Sequence, residues 1–274
     1  MVRILVDSSS DCRKDEFDYF MPIAVNLGGN EYLDGIDITA DKFYDFLTSG
    51  EEFPKTSQPS PEAFLEIFKK VKEAGDELIY FALSSSLSGT YQGANIAKEM
   101  ADYEGIYIID TKAATHMIRI LAEYAASLIK KGVSGAKIAE KCEELKGRIH
   151  VIAGLDTLEY LYRGGRLSRT SAAVGAIAGI KPVITVSKDG TVESIGKCIG
   201  RGKAIQFILD RLSAFDIDEE FPLYTLYTCG EDNTNALELK LSEAGFAAKE
   251  RVQVGSTIGA HIGPGAYGII FVSK

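Results

Sequence analysis

Two clusters of hydroxyl side chains are the groups in this sequence best suited to bind a ligand. Residues 55–60 read Lys-Thr-Ser-Gln-Pro-Ser and residues 84–90 read Ser-Ser-Ser-Leu-Ser-Gly-Thr, each directly before a segment with helical periodicity. The first backbone N–H groups of a helix lack intrahelical partners and, with the helix dipole, favour an anion. Hydroxyls add donors without charge, so the clusters predict a carboxylate site. The alternative is that Ser60 and Ser88 only cap their helices.

A histidine in a glycine-rich segment could complete such a site. His261 lies within residues 258–265, where small residues let the backbone approach a ligand and an imidazole N–H can donate to a carboxylate. The structural alternative is a turn with a packed imidazole ring. A functional alternative is a hydrolase in which His261 accepts a proton from Ser88. A nucleophile elbow needs glycines two positions before and after the serine, but Ser86 and Thr90 stand there.

An arginine follows a predicted short helix. Residues 158–167 are typical of an amphipathic helix ended by glycine, in which Arg163 complements the helix dipole. Arg166 comes after the glycines and is therefore freer to meet an anionic ligand or a partner protein. The small side chains of residues 171–180 predict either tight packing, the simpler expectation, or the wall of a narrow apolar tunnel.

Two glycine-rich stretches imitate nucleotide-binding motifs without their context. Residues 263–268 match Gly-x-Gly-x-x-Gly, but dinucleotide binding needs that turn to open a helix, and here a strand-like run follows. Residues 200–203 resemble the end of a phosphate loop, but Ala204 replaces the magnesium-binding hydroxyl and Lys197 the first glycine. Neither stretch predicts nucleotide binding.

Potential metal ligands are scattered. The histidines His116, His150 and His261 show no i, i+4 pairing, and the four cysteines are far apart without a Cys-x-x-Cys pair. We therefore expect no metal, no other cofactor and no disulfide framework. Four aspartates follow the first predicted strand or lie in the next loops: Asp7, Asp11, Asp34 and Asp37. We interpret them mainly as residues that cap helices and form turns. The alternative is that they take part in catalysis or bind magnesium.

The elements that must position these residues alternate between strand and helix. Near-continuous apolar runs, typical of strands buried on both faces, occupy residues 3–6, 78–83, 106–109 and 151–153. Helical periodicity occupies residues 41–47, 62–74, 89–100, 118–131 and 135–145. This alternation predicts a three-layer α/β/α domain with a mostly parallel sheet.

The pattern changes near residue 150. Residues 182–193 are typical of two alternating strands joined by a hairpin at Asp189 and Gly190. Further helices and strands are predicted at residues 203–212, 223–228, 233–244, 250–254 and 268–272. We therefore predict an α/β fold with two domains, residues 1–148 and residues 149–274, the second with a mixed sheet.

Composition excludes several classes of protein. The 274 residues include 30 Lys and Arg against 39 Asp and Glu, and the net charge of −9 disfavours nucleic acid and anionic membranes as partners. The small, charge-free segment of residues 170–180 is far shorter than the roughly 20 residues of a membrane-spanning helix, and no export signal is visible. We therefore expect a folded, cytoplasmic protein without stable membrane insertion.

Six ordered motifs resemble the DegV family of bacterial proteins, and the similarity runs essentially from end to end. They occupy residues 6–11, 55–60, 87–92, 160–166, 180–182 and 261–265. The resemblance implies a two-domain protein that holds a long-chain fatty acid in an apolar tunnel. It also implies a non-catalytic, fatty-acid-binding subunit of a bacterial fatty acid kinase, whose separate kinase subunit brings ATP and forms acyl phosphate for phospholipid synthesis.

The resemblance also implies roles for individual residues. Thr56 and Ser88 are similar to the hydroxyls that hold the carboxylate, beside the Gly89 amide, and His261 to the histidine of the same hydrogen-bond network. Arg166 is similar to the residue that engages the kinase partner.

The sequence departs from the family pattern at two places. Residues 115–117 read Thr-His-Met where a small Ser-x-Gly arrangement is frequent, and Ala260 replaces a frequent threonine. The bulk of His116 and Met117 is therefore expected to affect the tunnel.

The alternatives are a stand-alone hydrolase or kinase-like enzyme using Ser88 and His261, and a carrier for another apolar acid. Burial of about 15 methylenes at about 0.8 kcal/mol each gives an upper bound of about 12 kcal/mol, which favours tight binding of a long acyl chain.

Overall fold

A computed structural model describes residues 1–50, 53–167 and 179–274. The strands are β1 (Val2–Asp7), β2 (Tyr19–Met21), β3 (Ala24–Leu27), β4 (Asn30–Leu33), β5 (Lys55–Ser57), β6 (Glu77–Ala82), β7 (Ile106–Asp110), β8 (Ile149–Gly154), β9 (Ile180–Val186), β10 (Val192–Ile199), β11 (Tyr224–Tyr227), β12 (Glu250–Gln253) and β13 (Tyr267–Val272). The α-helices are α1 (Ala40–Ser49), α2 (Pro61–Ala74), α3 (Thr90–Ala101), α4 (His116–Lys130), α5 (Gly135–Lys146), α6 (Glu159–Arg163), α7 (Arg201–Leu212), α8 (Asp232–Glu243) and α9 (Ser256–Ile262).

A four-stranded parallel sheet organises the first part of the chain. Its strand order is β2-β1-β6-β7, and every neighbouring pair is parallel. Successive residues of β6 face opposite sides: Tyr80 packs with Phe64 of α2, whereas Phe81 packs with Leu121 of α4. Helices on both faces confirm the predicted α/β/α layers.

Helix boundaries follow local sequence signals. The Ser60 hydroxyl accepts a hydrogen bond from the Ala63 N–H at 3.4 Å, Pro61 opens α2, and Gly75 ends it at φ 65°. Proline tolerates the first turn because its missing N–H would have no partner there, and glycine adopts the left-handed terminus at little cost.

A small antiparallel sheet with the strand order β4-β3-β5 was not predicted. Its strands have only three or four residues, and β4 is largely exposed, so no long apolar run marks them. Their stability depends on cross-strand pairing of distant residues, such as Val25 with Thr56. Thr56, which belongs to the cluster predicted at the N-terminus of a helix, therefore lies on β5, before α2 begins at Pro61.

A six-stranded mixed sheet has the order β10-β9-β8-β13-β11-β12. Strands β11 and β12 are parallel and the other neighbours antiparallel, which confirms the predicted mixed sheet and the hairpin of β9 and β10. On one face, Ile152 and Phe271 pack with α7 and α8. On the other, Val151 and Ile270 share a core with α4.

Helix α4 lies between the two large sheets, because it contacts β1 and β6 on one side and β8 and β13 on the other. The division at residue 148 remains a proposal; it falls between α5 and β8. Residues 171–178 of the tunnel-wall expectation lie outside the described residues. Within the described parts of the chain, no helix has the length and apolarity to cross a bilayer.

Candidate ligand-binding site

A cavity of about 1020 Å³, counting the space at its mouth, lies between the mixed sheet and the carboxyl ends of the parallel strands. Its walls are mostly aliphatic because the inward positions of the strands alternate, as with Val151 and Ala153 on β8 and Ile184 and Val186 on β9. Polar lining residues come from several separate elements: Thr56, Gln58, Ser88, Gly89, Thr115, Arg166, Thr257 and His261.

The Thr56–His261 pair is the central contact of the polar region. The hydroxyl Oγ1 of Thr56 lies 3.0 Å from Nε2 of His261, although 205 positions separate them in sequence. Thr56 is on β5 and His261 near the end of α9, so the small sheet and this short helix meet at the cavity. The segment of His261 is thus helical, which corrects the alternative of a simple turn.

Burial and the neighbouring Arg166 lower the pKa of His261 to about 4. The imidazole is therefore neutral at pH 7 and carries one proton. If Nε2 holds that proton, it donates to Thr56 Oγ1, and the threonine proton is free to donate to a ligand. The imidazole also touches the backbone at Gly164, where any side chain would overlap Nδ1.

Ser88 both lines the cavity and bonds to the start of α3. Its Oγ lies 2.8 Å from Thr90 Oγ1 and accepts from the Thr90 N–H at 3.3 Å. Gly89 is the N-cap of α3, and a side chain there would overlap the Gln58 amide. Ser88 is therefore not the N-cap that the structural alternative expected, although its hydroxyl accepts from the N–H of the first helical residue.

Arg166 reaches into the same region. Its Nε donates to Leu87 O at 2.9 Å, and its Nη1 donates to Gly164 O at 2.5 Å. The guanidinium is half-buried, and burial lowers its pKa without removing its charge. Among the described lining residues it carries the one formal charge. The contacts of Thr56, His261, Arg166 and the segment of Ser88 therefore bring the predicted site residues together.

His116 and Met117 lie in the core beside the cavity, whose lining is formed by their neighbours Ala114 and Thr115. The His116 ring packs edge-on against Tyr224 with 5.2 Å between ring centroids. Burial and Arg119 lower the His116 pKa to about 3. The expected effect of these two residues on the tunnel is therefore indirect.

The four aspartates hold backbone in place. Asp7 accepts from Tyr80 Oη at 2.7 Å and from the Leu83 N–H at 3.0 Å. Asp37 accepts from the Leu33 N–H at 3.0 Å. Asp11 accepts from the N–H of Gly255, the N-cap of α9, and Asp34 accepts from Ser256, the first residue of α9. The described residues contain no grouping of His, Cys, Asp and Glu suited to a metal ion.

The hydrolase alternative receives no support from the hydrogen bonds described. Ser88 Oγ is bonded to Thr90, whereas His261 Nε2 is bonded to Thr56. The two side chains therefore have different partners.

Sequence reasoning missed part of the lining. Gln58 belongs to the motif of residues 55–60 but was not predicted to line the site. Its position at the cavity becomes apparent only from its contact with Gly89 in the structure. Thr115 was noted only within the departure from the family pattern at residues 115–117, and Thr257 was not noted, because their place at the cavity follows from the packing of α4 and α9.

Comparisons with known proteins agree with this architecture. The model for "Uncharacterised protein, DegV family" matches residues 1–274. A DegV domain-containing protein of Caldanaerobacter subterraneus subsp. tengcongensis is 37% identical, over 100% of this chain and 99% of that protein.

Solved structures show the same fold. A fatty-acid-binding DegV family protein from Thermus thermophilus has a TM-score of 0.89 and 32% identity, over 100% of this chain and 99% of that one. The Streptococcus pneumoniae fatty acid kinase B3 protein, loaded with linoleic acid, has a TM-score of 0.85 and 21% identity, over 100% of both chains, and is similar in fold. The match of the family model to the whole chain and the 37% identical relative establish that the chain belongs to the DegV family.

Proposed function

We propose that this protein binds a long-chain fatty acid in the cavity, with Thr56, Ser88, the Gly89 amide and His261 around its carboxylate. The observation that carries the proposal is that these four residues line one mostly aliphatic cavity, in which Thr56 bonds His261 at 3.0 Å. An apolar wall with a few convergent donors suits a molecule that has a long hydrocarbon chain and one anionic end. The fatty acid binding of the Thermus thermophilus relative supports the same ligand class.

The donors match a carboxylate better than a neutral head group. Two hydroxyls and a backbone N–H can donate to its oxygens, and hydrogen bonds to an ionised acceptor are stronger than bonds to a neutral one. Because a neutral imidazole accepts or donates one proton as needed, His261 can orient the Thr56 hydroxyl toward the ligand. The acyl chain supplies most of the affinity, and the polar contacts fix its direction.

We further propose that the protein is a non-catalytic subunit of a fatty acid kinase system in the cytoplasm. It would present the carboxylate to a separate kinase subunit, which brings ATP and forms the acyl phosphate. Arg166 is the partner-facing residue in this proposal, supported by its half-exposed position beside the carboxylate site and by the motif of residues 160–166.

The first test is denaturing extraction of the purified protein, followed by mass spectrometry of the released molecules. We expect a near-stoichiometric fatty acid of about 14 to 18 carbons, because burial of a long acyl chain at about 0.8 kcal/mol per methylene supports binding that survives purification. If the extract is blank and stays blank after incubation with fatty acids, the proposal is wrong. Release of a different apolar acid would support the cavity as the binding site but would show that the ligand is not a fatty acid.

Variants separate the two roles. Thr56→Ala and Ser88→Ala each remove a donor and are expected to weaken fatty acid retention about fivefold to tenfold, the effect of one net hydrogen bond. Arg166→Ala should spare retention but reduce acyl phosphate formation with the kinase subunit. Thr48→Ala, on the exposed end of α1, is the matched control. Loss of ligand from Arg166→Ala to the extent seen for Thr56→Ala would overturn its assignment as a partner residue.

A further inference from the structure

A buried aspartate outside the cavity holds the helix that carries His261. Asp34 is only 4% exposed and follows β4. Its Oδ1 accepts from Ser256 Oγ at 2.5 Å and from the Ser256 N–H at 3.3 Å. Its Oδ2 accepts from Thr257 Oγ1 at 2.6 Å and from the Thr257 N–H at 3.0 Å. One carboxylate therefore binds four donors of the first two residues of α9.

The residues just before α9 are held from the same side. The Tyr44 hydroxyl donates to Val254 O at 2.8 Å, and Asp11 Oδ1 accepts from the Gly255 N–H at 2.8 Å. With Asp34 bound to the two following residues, the early part of the chain fixes four successive residues, 254–257.

Both members of the Thr56–His261 pair depend on the same small sheet. Thr56 lies on β5, which pairs with β3, and Asp34 directly follows β4, which pairs with the other edge of β3. His261 is four residues beyond Thr257, about one turn along α9. Because α9 has only seven residues, its own helical stability is low, and its position depends on tertiary contacts.

We propose that Asp34 is a positioning residue for the ligand site, which holds the start of α9 so that His261 meets Thr56 on β5. The positioning of His261 by Asp34 does not depend on the proposed function; only its expected effect on fatty acid binding rests on that function. Asp34 itself does not line the cavity; it acts through α9.

The carboxylate is specifically required. Its two oxygens accept from N–H and O–H donors at once, and bonds to an ionised acceptor are stronger than neutral ones. An asparagine keeps the shape but places an NH₂ donor against donors of Ser256 or Thr257. Asp34→Asn should therefore loosen the start of α9 while leaving the apolar packing intact.

The experiment compares Asp34→Asn with Asp37→Asn, which makes the same charge change in the same turn but affects only the bond to the Leu33 N–H. A milder variant, Ser256→Ala, removes a single donor to Asp34 in case Asp34→Asn does not fold. The first measurement is an NMR titration of the His261 ring in the ligand-free protein, with its resonance assigned by His261→Gln. The second is the dissociation rate of cis-parinaric acid, a fluorescent fatty acid.

We expect the His261 pKa to rise from about 4 toward its ordinary value in Asp34→Asn, and by less in Ser256→Ala, with no change in Asp37→Asn. Dissociation of cis-parinaric acid should become about tenfold faster in Asp34→Asn. In a Thr56→Val background the same substitution should add less than twofold, because the contact that Asp34 positions is already absent.

An unchanged His261 titration in folded Asp34→Asn and Ser256→Ala would overturn the proposal. So would full additivity of Asp34→Asn with Thr56→Val. If the wild-type protein does not bind cis-parinaric acid at all, the proposed function fails, while the titration in the ligand-free protein still decides the role of Asp34.

Discussion

At the scale of single residues, the site depends on the absence of a side chain at Gly164. This residue ends α6 at φ −73°, an ordinary conformation, and a methyl group there would overlap His261 Nδ1 and lie 3.0 Å from Tyr160 O. Its effect on the site is therefore steric, and no backbone strain complicates a substitution.

We predict that Gly164→Ala displaces the His261 ring and weakens fatty acid retention about tenfold, with a stability cost of about 1–3 kcal/mol from overpacking. Retention is measured by displacement of cis-parinaric acid, and stability by urea unfolding. The matched control is Gly147→Ala, because Gly147 ends α5 at φ −71° with open space around it. Equal retention in the two variants would contradict the close approach to His261.

Two buried histidines and a buried aspartate have opposite effects on how the free energy of unfolding changes with pH. The pKa of His261 is lowered to about 4 and that of His116 to about 3, so the unfolded chain binds more protons below pH 6.5 and acid destabilises the fold. Burial raises the pKa of Asp11 to about 7, so between about pH 4 and pH 7 the folded chain binds the extra proton at this carboxyl. Its contribution to stability therefore falls as pH rises through that window.

Replacing Asp11 should expose the effect of the histidines. In Asp11→Asn, the slope of unfolding free energy against pH between pH 5 and 6 should become more positive by up to about 1.4 kcal/mol per pH unit. Urea unfolding at several pH values measures the slope, with Asp37→Asn as control. A slope identical to that of the wild type would mean that Asp11 does not titrate in this range.

At the scale of elements, the hairpin of β9 and β10 closes one wall of the cavity. Its residues Val186 and Val192 line the cavity, and its tip is bound by residues 84–86, which follow β6. Ser84 Oγ donates to Gly190 O at 2.8 Å, and Ser86 Oγ donates to Asp189 O at 2.7 Å. The predicted turn at these two residues therefore joins the mixed sheet to the loop that follows β6.

The double substitution Ser84→Ala and Ser86→Ala should release this tip. We expect a loss of about 1–3 kcal/mol, because a buried carbonyl loses its donor, and faster amide hydrogen exchange in β9 and β10. Ser187→Ala is the control, since Ser187 bonds Thr191 within the hairpin. Unchanged exchange in the double variant would show that other contacts hold the hairpin.

At the scale of the whole molecule, α4 packs against both large sheets and shares one core with them. Leu121 on α4 is fully buried and belongs to a core that includes Ile79 of the parallel sheet and Ile270 of the mixed sheet. The same packing places Ala114 and Thr115, just before α4, at the cavity, where Leu87 and Ser88 after β6 and the mixed sheet complete the lining.

We predict that Leu121→Ala costs about 2–5 kcal/mol and lowers the stability of both sheets together. Thermal unfolding followed by circular dichroism and by tyrosine fluorescence should give coincident single transitions. The exposed Leu239→Ala is the control, with an expected change within about 0.5 kcal/mol. Two separated transitions in the variant would indicate that the sheets unfold independently.

Local sequence patterns were enough to predict the layers and most of the long elements, and they singled out the candidate site residues. Helix α2 was predictable because capping, proline and glycine signals lie within its own residues. The buried strands β1 and β6 were predictable because near-continuous apolar runs mark strands covered on both faces. Thr56, Ser88 and His261 were found through local motifs.

How these residues meet depends on the tertiary structure. Strands of three or four residues and a seven-residue helix have too little local stability to be marked in the sequence, so β5 and α9 depend on pairing and burial against distant segments. The contact of Thr56 with His261 and the hold of Asp34 on α9 join residues more than 200 positions apart. Such contacts result from the packing of whole layers, which local patterns do not specify.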